Sequence, residues 1–445
     1  MVSMGLVTYR IYRALTQAFS PLLYLHLRYL RRLRRLEHPT RWPERFGTPS
    51  TTTTSTTTTK TLIWFHAVSL GEGMSAIPII QHCLHRRPDD LSVLMTTTTT
   101  SAFEVIGGQL PSGVIHQFAP LDVPAAVDAF LGYWKPRAIF LMESELWPNL
   151  IMSASEKGIA LALLNARISA KSFGRWSGPL ALPLISLMLS KFSLISPLST
   201  AEAIRFQLLC APPFVINFAG DLKCVTGDFE LSDKDKRVIE DLRLRLAGRP
   251  VWMAASIHKD EEEVVLWVHR VLMQTYPNLV TVVVPRHPHK GKQIALALRS
   301  QGLNVALKSN HETISSSTNF YVADTLGELR LFYRTTPIAV IGGSFLPKMA
   351  GHNISEAAAA GCAVLTGPYV GHFSHMIQEM QRLNPLSVRQ VSGNVELAEA
   401  LTELFDNSKF LEARQEAAKE ACLTLSCGVV EKVWDLINSH VLKQT

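Results

Sequence analysis

Paired cysteines are missing from this 445-residue chain. The six cysteines (Cys83, Cys210, Cys224, Cys362, Cys422 and Cys427) are scattered, with no CxxC pair and no His/Cys metal spacing. That excludes a disulfide scaffold or a zinc module and predicts free thiols in a reducing compartment. Acidic residues are absent from the first 36 positions, Glu37 being the first. A spanning helix is excluded too: it needs roughly 20 apolar residues, whereas the most apolar part of the arm, Leu22 to Leu27, is broken by Pro21, His26 and Arg28. With 47% apolar and 18% charged residues the chain is globular, not disordered. Its length exceeds one compact core and predicts two domains.

What is present begins with that acid-free arm. Arg10, Arg13, Arg28, Arg31, Arg32, Arg34 and Arg35 alternate with Leu, Tyr, Phe and Ile, concentrating the modest net charge of +7 unevenly. Two functions fit: an amphipathic helix lying on anionic lipid, or an Arg-rich, acid-poor organellar transit peptide. A basic helix packed on the protein body is disfavoured, because the arm contains no acidic partner for its arginines. Thr51 to Thr59 is a threonine tract broken by Ser55 and is expected to be a surface loop.

Beyond it, strand and helix patterns alternate. Strands are expected at 61–68, 91–96, 137–142 and 159–164, with a helix from Met74 to about Arg86, which predicts a parallel sheet covered by helices. Glu72 and Glu143 fall at carboxyl ends of such strands, where ligands bind. Ser69-x-x-Glu72 also reads as a capping box, a role that requires no chemistry. Asp228 to Arg249 is a charge-rich helical connection. A second alternation restarts at 251–255 and 279–284. In it Ile338 to Ile341 runs into Gly342-Gly343-Ser344, and Asn353 stands three residues before Glu356, ahead of an alanine-rich run closed by Gly361. This spacing predicts a capping box and a C-cap glycine in a strand-helix-strand unit, with an anion-accepting helix N-terminus at Gly351-His352-Asn353.

The order of several motifs resembles that of the 3-deoxy-D-manno-octulosonic acid (Kdo) transferases. Arg41-Trp42-Pro43-Glu44-Arg45-Phe46-Gly47 resembles R-W-x-E-R-[FY]-G, and His66 to Glu72 resembles H-[AS]-V-S-x-G-E. Met142 to Asn149 is similar to M-E-T-E-L-W-P-N, Asn165 to Ser169 to N-A-R-L-S, and Gly220 to Lys223 to G-[NS]-L-K. Pro285-Arg286-His287-Pro288 matches P-R-H-P, and Ala323 to Leu329 resembles G-D-T-M-G-E-L. There are departures. Thr98 to Ala102 lacks the proline and glycine of T-P-T-G-S, Ser256 to Glu262 differs from S-T-H-x-G-E-E at Ile257 and Asp260, Ile354-Ser355-Glu356-Ala357 replaces N-P-L-E-[AP], and Gly367 to Phe373 replaces G-P-H-x-x-N-F.

The resemblance implies a GT-B glycosyltransferase with two Rossmann-like domains facing a cleft. These would be a basic arm over 1–36, an acceptor domain over 37–228 and a donor domain over 229–445. It implies transfer of Kdo from CMP-Kdo to a tetraacyl lipid A precursor, with Glu72 as general base, Glu143 and Lys223 supporting the transition state, and Glu145 unassigned. Arg286, His287, Leu326, Gly327, Glu328, Asn353, Ile354, Ser355 and Glu356 would hold the cytidine nucleotide. No cofactor and no nucleic-acid partner are expected. No metal is expected either, since no Asp-x-Asp pair stands where a phosphate-bound cation would need it. A mitochondrial, membrane-associated location is expected, with the cytoplasmic face of a bacterial inner membrane as the alternative. A nucleotide-sugar epimerase, or a binding protein without turnover, are the competing functions.

Overall fold

The computed structural model describes residues 2–31, 33, 37–49, 60–225 and 232–443. The threonine tract and the first residues of the expected connection lie outside them. The chain folds as two compact units, Met1–Val225 together with Gly428–Thr445, and Thr226–Cys427.

The first unit is built on six parallel strands: β1 (Thr61–His66), β2 (Leu91–Thr97), β3 (Ile115–Phe118), β4 (Ala138–Met142), β5 (Ala160–Ala166) and β6 (Leu194–Pro197). Their order is β3-β2-β1-β4-β5-β6, so the winding reverses between β1 and β4. Alternate side chains enter opposite cores: Ile63 and Phe65 of β1 pack on one face and Trp64 on the other, as the two-residue period of a strand requires. Both faces are covered, which explains why these strands read as continuous apolar runs. The register of β5 against β6 shifts between Leu163 and Ala166, where Asn165 takes φ +51°.

Two expectations about the chain ends change. The arm is a helix, Val2–Leu25, and it packs on the body of the first unit. Tyr9 and Leu27 are buried, and a Cβ on Gly5 would lie 2.4 Å from the Pro183 carbonyl oxygen. Arg13 approaches Asp128 at 3.6 Å and Glu156 at 3.8 Å, and Arg31 meets Glu37 at 3.0 Å. The acidic partners exist after all, mostly more than a hundred positions along the chain. At the other end, residues 428–445 leave the second unit, to which 229–445 had been assigned, and join the first. Val429, Val433, Trp434 and Ile437 of the helix Val429–Ile437 enter its core, and Arg87 donates to Asn438 Oδ1 at 2.9 Å.

The second unit carries seven parallel strands: β7 (Val251–Ile257), β8 (Val280–Pro285), β9 (Val305–Leu307), β10 (Phe320–Val322), β11 (Ile338–Ile341), β12 (Ala363–Thr366) and β13 (Val388–Gln390). The order is β13-β12-β11-β7-β8-β10-β9, with its reversal between β11 and β7. The connection expected over 228–249 is the helix Asp233–Leu246, capped by Ser232.

Candidate active site

In the first unit the loops after β1 and β4 flank the reversal point, where open parallel sheets bind ligands. The capping reading of Glu72 is structurally real. Ser69 caps the helix Leu70–Arg86, its hydroxyl donates to Glu72 Oε1 at 2.9 Å, and the Val68 N–H donates to Oε2 at 2.8 Å. The same carboxyl is nonetheless held above the ordinary carboxylate range. Burial is the main cause and the Glu143 charge the second, opposed by the Val68 and Ser69 hydrogen bonds and by Lys223. A group fixed in direction and more basic than usual is suited to accept a proton.

Glu143 follows β4 in the left-handed region, φ +54°, which an L-residue occupies at a cost of about 1–3 kcal/mol. Its backbone is held from β5: its N–H donates to the Leu164 carbonyl at 2.8 Å, and the Arg167 N–H to its own carbonyl at 3.2 Å. The buried side chain lies between two cations, Arg167 Nε at 2.9 Å and the Lys223 ammonium in direct contact. Lys223 is placed in turn by Asp221, which accepts the Lys223 N–H at 2.8 Å and Asn165 Nδ2 at 2.7 Å. Burial pushes the Asp221 carboxyl up, against those hydrogen bonds and the Lys223 charge. Glu145 accepts the Trp147 indole N–H at 2.7 Å. Burial first, and the Glu72 charge second, push its carboxyl up to about 7. Trp147 stands edge-on to His66, with ring centroids 4.6 Å apart, and burial drops the His66 imidazole to about 3, so that ring is neutral.

The motifs Glu72, Glu143 and Lys223 therefore meet at one sheet end, with Arg167, Asp221 and Glu145 added. The signal for the added residues was their place within the same motifs. The Arg41 to Gly47 block is a clamp: buried Glu44 accepts the Phe118 N–H at 2.8 Å, and buried Arg45 binds Glu37 at 2.9 Å and the Thr98 carbonyl. The altered loop is held from that side, and Thr99 caps the following helix through the Ala102 N–H at 3.2 Å.

The second unit repeats the device with other groups. After β7, the buried Glu261 carboxylate accepts four backbone N–H groups: His258 at 3.0 Å, and across the reversal point Gly343 at 2.7 Å, Ser344 at 3.0 Å and Phe345 at 3.0 Å. A Cβ on Gly343, φ +66°, would stand 2.8 Å from the His352 ring. His258 and His352 face each other Nε2 to Nε2 at 2.9 Å with their rings stacked, an arrangement that needs a proton on one nitrogen and a lone pair on the other. Burial and then the Arg286 charge lower His352 to about 3, and the same two causes lower His287. Arg286, His287 and the stretch from His352 are thus brought together.

The expected capping box is not formed. Asn353 Oδ1 accepts the Ser355 N–H at 3.0 Å and the Ser355 hydroxyl at 2.9 Å, and the short helix Ser355–Ala359 follows. Glu356 turns inward instead; burial raises its carboxyl, and the Arg330 charge opposes this. Ile354 is fully buried and can contribute only through its backbone. Leu326 and Gly327 are exposed, while the Glu328 carboxylate is engaged by Thr325 and by Lys308 at 3.6 Å. Among the described residues no cluster of metal-ligating side chains is present.

Two Rossmann-like units, each with polar side chains gathered at its reversal point, define the GT-B class of glycosyltransferase fold. Solved structures show the same fold: a UDP-GlcNAc 2-epimerase from Neisseria meningitidis bound to UDP-GlcNAc matches with TM-score 0.59 at 12% identity, covering 85% of this chain and 100% of that one. A glycosyltransferase from Rickettsia africae matches with TM-score 0.57 at 10% identity, covering 87% and 100%. The family model for 3-deoxy-D-manno-octulosonic-acid transferase (kdotransferase) matches residues 40–226. A "probable 3-deoxy-D-manno-octulosonic acid transferase, mitochondrial" of Arabidopsis thaliana is 58% identical over 99% of this chain and 98% of its own length. The 3-deoxy-D-manno-octulosonic acid transferase of Haemophilus influenzae is 32% identical over 85% of this chain and 87% of its own. The chain belongs to the 3-deoxy-D-manno-octulosonic acid transferase family and is a glycosyltransferase.

Proposed function

We propose that the chain transfers Kdo from CMP-Kdo to a hydroxyl of a tetraacyl lipid A precursor, with inversion at the anomeric carbon. The observation that carries this reading is the Glu72 carboxyl: oriented by Val68 and Ser69, made more basic by burial, and set beside the Lys223–Glu143–Arg167 ion group. Glu72 takes the proton of the attacking hydroxyl. Lys223, held by Glu143, balances negative charge that develops as the bond to the cytidine phosphate breaks. Arg286 and His287, with the loops of Leu326, Gly327 and Glu328 and of Asn353, Ile354, Ser355 and Glu356, hold the nucleotide, a guanidinium being matched to phosphate oxygens. The reaction uses no metal and no cofactor in this scheme.

The reading includes work at a membrane surface. No helix among the described residues is long and apolar enough to cross a bilayer. The arm helix nevertheless leaves Val7, Ile11, Leu15, Phe19 and Leu22 exposed along one stripe, with Arg10 and Arg28 exposed on the same helix and the turn that follows it. That pattern suits a helix lying in the lipid interface. A mitochondrial location fits the acid-free arm and the name of the plant relative.

The test is transfer of Kdo from freshly generated CMP-Kdo to the lipid A precursor by the native chain and by Glu72→Ala. Loss of roughly a hundred- to ten-thousand-fold in the variant, with CMP binding retained, supports the reading. Undiminished transfer would return Glu72 to a capping role alone. Nucleotide binding without transfer by the native chain would replace the enzyme with a binding protein.

A further inference from the structure

The inner face of the arm reaches the loop that carries Glu143, Glu145 and Trp147. Gly5, Tyr9, Tyr12, Thr16 and Ser20 recur every three to four residues along the helix Val2–Leu25 and are buried or half-buried, which places them on one side of it. Two hydroxyls on that side are tied to the body of the first unit. Tyr12 donates to Asp122 Oδ2 at 2.9 Å. Thr16 donates to the Tyr12 carbonyl at 2.9 Å, and its oxygen accepts Asn149 Nδ2 at 3.0 Å.

Asp122 and Asn149 stand where the acidic loop ends. The helix Pro148–Glu156 begins on Trp147, which offers no side-chain cap, and the first N–H groups of a helix have no partner within it. The Asp122 carboxylate supplies the cap from another segment: Oδ2 accepts the Asn149 N–H at 3.2 Å and Oδ1 the Leu150 N–H at 2.9 Å. Asn149 is fully buried, and its side-chain amide also donates to the Asp122 carbonyl at 2.6 Å. Burial pushes the Asp122 carboxyl up, and the Leu150 N–H, the Tyr12 hydroxyl and the Asn149 N–H pull it back, so the arm helps to keep the cap charged.

We propose that Tyr12 and Thr16 are positioning residues for transfer: through Asp122 and Asn149 they fix the far end of the loop 143–149, and with it Glu143, Glu145 and Trp147. This rests on the reading that transfer takes place at the Glu72 end. The near end of the loop is held from β5 through the Glu143 N–H and carbonyl. Between the two ends Trp147 donates to Glu145 and stands edge-on to His66, so a shift at Asn149 reaches the acidic group within two residues. Small misplacements of reacting groups are costly in rate. The exposed apolar stripe lies on a different side of the helix, which leaves it available to lipid while the inner face holds the loop. A leader that is cut away could not do this, so the helix stays on the working chain.

The test uses the full chain in detergent, with Tyr12→Phe and Thr16→Val removing one hydroxyl each, Thr16→Ser restoring one, and Arg13→Gln as control. The control removes the ion pairs of the arm with Asp128 and Glu156 and keeps both hydroxyls. Hydrogen exchange is read at the Asn149 and Leu150 amides, and kcat and KM for Kdo transfer are measured alongside. Exchange that quickens severalfold in Tyr12→Phe and Thr16→Val, with kcat falling roughly two- to tenfold at unchanged KM for CMP-Kdo, supports the proposal. Thr16→Ser and Arg13→Gln are expected at the native level in both readouts. Native exchange in the two hydroxyl variants, native kcat despite quickened exchange, or an equal loss in Arg13→Gln overturns it. So does an active enzyme, isolated from its source cells, whose mature N-terminus lies beyond Thr16. Exchange needs no turnover: a failure of the transfer reading shows in the native chain, a failure of this proposal only in the variants.

Discussion

Both units reverse their winding once, and both collect polar groups at the carboxyl ends of the two strands that flank the reversal, yet the groups are opposite in kind. Between β1 and β4 stand Glu72, Glu143 and Glu145, with Asp221 beside them. Between β7 and β11 stand His258 and His352, with Arg286 and His287 next to them after β8. The backbone device is the same, so the fold alone does not decide the chemistry; the side chains placed on it do. The two ends are also held differently. In the first, side chains hold side chains, Lys223 and Arg167 pairing with Glu143. In the second, a single carboxylate, Glu261, holds the backbone of the facing loop. In the function proposed above, the first end takes up a proton and the second receives the negative charge of the nucleotide.

The sharpest way to break this contrast is Glu261→Ala. It strands the N–H groups of Gly343, Ser344 and Phe345 in a buried loop, which costs about 3–5 kcal/mol. The expected outcome is a lower melting transition and loss of hydrogen-exchange protection at those three amides, with the Glu72 end of the first unit still protected. Uniform loss of protection in both units would deny that Glu261 acts locally. A smaller effect follows from Arg286→Ala. Removing a charge-assisted contact to phosphate costs about 1.5–3 kcal/mol, so CMP affinity falls roughly ten- to a hundredfold while melting hardly changes. An unchanged affinity would remove Arg286 from the nucleotide site.

How far these ends could be read from the residues depends on how far apart their partners lie. The strands of both sheets were legible wherever the apolar run was continuous, as at 61–66 and 280–284. Short strands such as Val305–Leu307 left no pattern of their own. For Glu72, two readings competed at sequence level, and the structure shows that cap geometry and raised basicity coexist, because burial is a property of the fold and not of the S-x-x-E spacing. Glu145 had no assignable role, since its basicity comes from burial and from Glu72, 73 positions earlier in the chain. Glu261 stood within a quoted motif without a task; its three cross-loop partners are 82 to 84 residues away, beyond any local signal. That the arm packs on the body was illegible for the same reason, since Arg13 meets Asp128 and Glu156, 115 and 143 positions further along the chain. The helix Val429–Ile437 shows an amphipathic face, but which sheet it would cover could not be told from that face.

The finest test of the contrast lies inside the acidic end, with Glu145→Gln. Two carboxyls there are raised together, Glu72 by burial and Glu143, and Glu145, up to about 7, by burial and Glu72. If Glu72 must be ionised to act, the acid limb of kcat/KM lies above the ordinary carboxylate range. Burial and the Glu72 charge keep Glu145 protonated up to about 7, and Glu145 is not among the groups that raise Glu72, so the neutral isostere leaves the limb in place. Stability supplies an independent sign. The folded-state value of Glu145 is raised, so the folded chain holds that proton more tightly than the unfolded chain, and the associated stability, full below about 4.5, is lost as pH rises through about 7. Gln carries no such dependence, and the melting temperature of the variant relative to the native chain should climb across that window, by the equivalent of about 1–2 kcal/mol after solvent screening. A limb that moves to lower pH, together with a melting difference that is flat in pH, would mean that the Glu145 carboxyl titrates as an ordinary surface acid and that the acidic end is narrower than its geometry implies.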